Sequence, residues 1–79
     1  MMITPSALKI LTSFDCHGLS ISINKSGYKK DKFSDSQFVG ITNGGQFAYR
    51  VEYLEEETVK VAKVFLSYDP ASGKVTADY

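Results

Sequence analysis

The chain has 79 residues, nine basic and nine acidic, with 43% hydrophobic content and 23% charge. That length allows one domain, 1–79, without spare core for a deep, dry active site, and the composition is too apolar for a disordered chain. Zero net charge excludes an overall electrostatic drive toward nucleic acid or an anionic membrane, and a single cysteine, Cys16, excludes an internal disulfide.

Thr4-Pro5 is a helix-start signal: a hydroxyl caps a backbone N–H, and Pro fits the first helical position. Ala7, Leu8, Leu11 and Phe14 follow on one helical face, and Asp15-Cys16-His17-Gly18 reads as the helix end. About three turns of helix are too short to stand alone, so this face must dock. The N-terminal stretch has no basic region followed by an uninterrupted apolar run, and no apolar run approaches the length of a membrane span. With a lone cysteine, this reads as a cytoplasmic protein.

Leu19-Ser20-Ile21-Ser22-Ile23 alternates and reads as a half-buried strand. Residues 24–37 are polar and Lys-rich, either a long loop or a ragged strand around Tyr28 and Phe33. Phe38 to Ile41 resumes β character, and Asn43-Gly44-Gly45 is a turn signal. Phe47, Tyr49, Val51 and Tyr53 share one face of the next strand. Glu55-Glu56-Glu57 marks a solvated hairpin end. Thr58 to Tyr68 reads as a long strand whose alternation slips between Val61 and Val64, where a bulge is expected. Asp69 to Gly73 is a turn, and Lys74 to Tyr79 closes the sheet.

These elements predict an α+β domain with one N-terminal helix packed on a four- to five-stranded, mainly antiparallel meander sheet. With no second helix in this reading, the other sheet face stays open. The size and pattern are those of many bacterial and phage accessory proteins, an expectation of class rather than a match of residues.

Chemistry is sparsely encoded. Cys16-His17 sets a thiol beside the single imidazole, but sequence neighbours point apart, so a small buried Cys and a solvent-facing His at a helix C-terminus are expected instead. One Cys, one His and scattered carboxylates do not form a metal-ligand set, and three consecutive glutamates splay into water rather than share a pKa-shifting pocket. Asn43-Gly44-Gly45 lacks the Lys and Ser/Thr of a phosphate loop. No catalytic residue, metal or cofactor is therefore expected.

Two binding readings remain. An aromatic stripe of this kind is usually core, but if the uncovered face carries some of its rings, Tyr49, Tyr53 and Tyr68 are the contacts for a protein partner or a second copy, through the sheet face or edge. The alternative is a nucleic-acid-binding module using Lys25, Tyr28, Lys29, Lys30, Lys32 and Phe33, with Arg50, where ammonium groups meet phosphates and rings stack on bases. The chain's isoelectric point near 6.5 weighs against the second. Residues 24–50 are net basic and 51–79 net acidic, a dipolar arrangement that hints at a charged partner.

Overall fold

Two short helices precede the sheet in this computed structural model, which describes residues 5–28 and 32–79. Helix α1 spans Pro5–Leu11 and α2 spans Cys16–Lys25. The expected helix start at Pro5 holds, while the capping Thr4 lies outside the described residues. The single expected helix is broken at residues 12–15. Thr12 turns its hydroxyl back onto the Leu8 carbonyl at 2.9 Å, and the Ser13 N–H bonds to the Ile10 carbonyl three residues back, which tightens the end of α1.

Asp15 then starts a new helix. Its backbone is extended, and its carboxylate accepts the Gly18 N–H at 2.7 Å, an N-cap on the third helical residue. Gly18 therefore lies inside the first turn of α2 and does not end a helix. A Cβ there would stand 3.2 Å from the capping oxygen and 3.3 Å from the Phe14 ring. The glycine that ends a helix is Gly27, at φ 99°. Its N–H reaches the Asn24 carbonyl and the Tyr28 N–H reaches the Ile23 carbonyl, the paired bonds of a Schellman motif.

Residues 19–23 are thus helical, which corrects the strand expected there. Leu19 and Ile23 are four apart and both fully buried, while Ile21 between them is 41% exposed. An L-S-I-S-I run satisfies both a period of two and an i,i+4 pair; the Asp15 cap and the Gly27 stop decide for helix.

The sheet is a meander of four antiparallel strands, β1 Asp35–Ile41, β2 Phe47–Glu55, β3 Thr58–Asp69 and β4 Lys74–Asp78, in that spatial order. The Asn43-Gly44-Gly45 turn is a three-residue loop in which Gly45 takes the left-handed position and Thr42 and Gln46 close the end. The bulge expected in the long strand is found in β1 instead, where the register steps between Phe38 and Gly40. The register of β3 with both its neighbours is continuous.

One sheet face carries Phe47, Tyr49 and Val51 from β2, Val64 and Leu66 from β3, and Ala77 from β4. These pack with Leu11, Leu19, Ile23 and Phe33 as the core. In α1 the buried residues are Ala7 and Leu11; Leu8, expected to face the sheet, is 42% exposed.

Tyr49 holds the link between the helices to this face. Its hydroxyl donates to the Leu11 carbonyl, the last residue of α1, and accepts the Phe14 N–H at 3.1 Å. Its ring meets Phe14 edge-on and Phe38 at 5.3 Å. Burial raises the Tyr49 phenol above its ordinary value near 10, with the Phe14 N–H pulling weakly the other way. The folded state thus favours the protonated phenol. Its contribution is complete below about pH 10 and is lost as pH rises further.

Replacing Tyr49 with Phe leaves the buried Leu11 carbonyl and the partly buried Phe14 N–H without this partner and should cost about 1–3 kcal/mol at neutral pH. The variant should also lose part of the wild-type decline in stability above about pH 10. Chemical denaturation at neutral and alkaline pH checks both; an unchanged midpoint would refute the bridging role.

Candidate functional site

The face of the sheet turned away from the helices is built from the alternate residues of each strand. Strand register sets them in rows across β1, β2 and β3. Gly40, Ala48 and Phe65 form the first row, Gln37, Arg50 and Lys63 the second, and Asp35, Glu52 and Val61 the third. Leu54 and Val59 form the fourth, on the hairpin alone.

The hairpin extends this face outward. The twelve residues of β3, at about 3.3 Å each, account for most of the molecule's 42 Å length. Toward its tip Leu54 is 67% exposed, Val59 56% and Val61 54%. Nearer the body, Ala48 is covered by its neighbours and Phe65 is half-buried. Between these apolar ends, Arg50 pairs with Glu52 at 2.8 Å, two residues along the same strand and on the same face. Such an exposed pair holds orientation more than it adds stability.

The hairpin tip is a two-residue turn in which Glu56 and Glu57 both have positive φ, 51° and 64°. This backbone suits the twist of a β-ribbon but favours Asn-Gly over two residues with a Cβ.

The two sheet edges differ. At β4, the Ser26 hydroxyl at the end of α2 accepts the Ala77 N–H at 2.9 Å, so a helix terminus caps that edge. A groove of about 580 Å³ runs between α2 and β4; Lys25 and Lys74 are the charged residues among its described walls, beside Ser22, Ser26 and Thr76. The β1 edge is interrupted by its bulge.

The tyrosines expected to contact a partner lie on the helix side of the sheet, not the open side. Tyr49 is 1% exposed, so no partner reaches it, which corrects its assignment as a contact residue. Tyr53 is half-buried in a ring cluster with Phe33 and Tyr79, at centroid distances of 6.4 and 6.3 Å. Tyr68, also half-buried, lines a cavity of about 260 Å³ beneath α1 with Ala7, Ile10 and Leu11. The reason is the second helix: with α1 and α2 on the aromatic face, the stripe is core.

The described members of the Lys-rich set do not form one surface. Phe33 is 6% exposed and packed in the core, so its ring offers no stacking face. The Tyr28 hydroxyl donates to Asp78 at 2.8 Å; that carboxylate raises the phenol's pKa. Lys25 and Lys32 are exposed, whereas Arg50 lies on the opposite sheet face beside Glu52. Lys29 and Lys30 lie outside the described residues.

Cys16 and His17 open α2 rather than close a helix, which corrects their expected place at a C-terminus. The thiol is half-buried and the imidazole exposed. Among the described residues, no three His, Cys, Asp or Glu side chains converge, and no helix is long and apolar enough to cross a membrane.

The residues overlooked in the sequence are Leu54, Val59 and Val61. Their signal was the slip in alternation between Val61 and Val64, which marks apolar residues changing faces along a regular strand. Comparison with protein-family models, curated proteins and solved structures finds no match for the chain.

Because the turn holds two Cβ-bearing residues in the left-handed region, Glu56→Asn with Glu57→Gly should stabilise the hairpin by about 1–2 kcal/mol. For a domain of this size that raises the melting temperature by several degrees. Thermal unfolding followed by circular dichroism checks it; a lower melting temperature would contradict the turn geometry.

Proposed function

We propose that the chain is a small, non-catalytic interaction protein that docks onto another protein, or a second copy of itself, through its open sheet face. The outer half of the β2–β3 hairpin is the centre of that surface. One observation supports this reading above the others: Leu54, Val59 and Val61, each more than half exposed, are neighbours by strand register on one face. Isolated surface hydrophobes need no explanation, but a cluster beside ordered charges is the composition of a docking patch with a polar surround. The reading requires no reaction, cofactor or membrane.

Leu54→Asp with Val61→Asp should abolish association with whatever protein co-purifies with the chain from its native host. The melting temperature should stay within a few degrees, because both side chains already face water. Lys25→Glu with Lys32→Glu should leave the association intact. The opposite pattern would overturn the proposal: binding to single-stranded DNA or RNA that weakens steeply with salt and is lost on the lysine changes.

A further inference from the structure

Resting on the open-face reading above, we infer that the partner is a second copy of this chain, docked face to face about a two-fold axis. The order of the rows points to this occupant. Along the hairpin, the open face runs from apolar (Ala48, Phe65) to basic (Arg50, Lys63), then acidic with an apolar neighbour (Asp35, Glu52, Val61), then apolar again (Leu54, Val59). Reversed end for end, the pattern sets apolar on apolar at both ends and, along β2, basic on acidic, while Lys63 falls on Val61 and Gln37 on Asp35.

An axis across the strands, between the Arg50 and Glu52 rows, carries out that reversal. It lays β2 over β2 of the second copy in the opposite direction, pivoting near Val51 at the middle of Phe47–Glu55. Leu54 of one copy then falls on Ala48 of the other, and Val59 falls on Phe65. Arg50 falls on Glu52. Because the axis is two-fold, each of these contacts occurs twice, which is the requirement of an isologous interface.

Within one chain the rows set like charges side by side, Arg50 opposite Lys63 and Asp35 opposite Glu52. Like charges directly across strands are unfavourable. The adjacent opposite row offsets this within one copy, and the facing row of the second copy offsets it again. Bulk follows the same logic, since the exposed Leu54 meets the small Ala48 side chain.

The four rows span about 20 Å along the strands, six residues at roughly 3.4 Å. A patch of that length and two or three strands in width is smaller than a standard interface. It suits a concentration-dependent dimer rather than a permanent one.

Sedimentation of the full chain over micromolar to millimolar concentration tests the inference through charge reversal. Wild type should show a reversible monomer–dimer equilibrium. Arg50→Glu alone and Glu52→Arg alone should each raise the dissociation constant about tenfold or more, since each sets like charges over like. Mixing the two variants should restore dimer, as a heterodimer, because one then presents two acidic and the other two basic residues along β2. Circular dichroism of each variant confirms that the fold is retained.

A wild type that remains monomeric to millimolar concentration overturns the second copy as occupant; docking of a different protein on the open face is decided separately by the Leu54/Val61 test. A dimer that survives both reversals, with no gain on mixing, overturns this arrangement. One that also survives Leu54→Asp with Val59→Asp, which face Ala48 and Phe65, uses another surface and contradicts self-docking through the open face.

Discussion

The Tyr49 hydroxyl is the contact on which the arrangement of the layers depends. It sits where α1 ends and the chain must cross to α2, and it binds one backbone group on each side of that crossing. Helix ends leave carbonyls without intrahelical partners, and the buried Leu11 carbonyl would bear that cost. One phenol from the middle of β2 relieves it and pins both helices to the face its own ring occupies. Among the described residues, the helices are thereby committed to one side of the sheet.

That commitment gives β3 its unusual character. Near the body its core-facing residues, Val64 and Leu66, are fully buried, as in any strand beneath a helix. Toward the hairpin tip Val59 and Val61 sit on the opposite, uncovered face and remain exposed. No bulge separates the two regions. The strand outruns the helices, and its apolar residues change sides where coverage ends. An exposed apolar ribbon is a liability unless something covers it or charge breaks it up. Here the Arg50–Lys63 and Asp35–Glu52 rows interrupt it, and their order gives the surface a sense of direction along the strands.

Much of the sheet was legible in the sequence because its signals are local. Asn43-Gly44-Gly45, the glutamate turn and Asp69 to Gly73 each mark a hairpin, and short hairpins force sequential antiparallel strands. The helical region was harder. Leu19-Ser20-Ile21-Ser22-Ile23 fits two periods at once, and its resolution lay in Asp15 as a cap and Gly27 as a stop. Those two residues act at a distance from the run they define. The site was least legible. Whether Tyr49 is a contact or a core residue depends on which face the helices cover, and an alternating strand reads the same from either side. Phe33, in a Lys-rich stretch, gave no sign of entering the core, because its ring is recruited by Tyr53 and Tyr79 from distant parts of the chain.

The account therefore rests on one asymmetry, a sheet closed by Tyr49-anchored helices on one side and open along the hairpin on the other. Methyl NMR of the dilute protein with a soluble paramagnetic probe measures that asymmetry directly. Methyls of Leu54, Val59 and Val61 should broaden strongly, while those of Leu11, Leu19, Ile23, Val51 and Val64 stay sharp. Equal broadening of Leu11 and Leu19 with the hairpin methyls would show that the helices do not cover the face assigned to them, and would contradict the account.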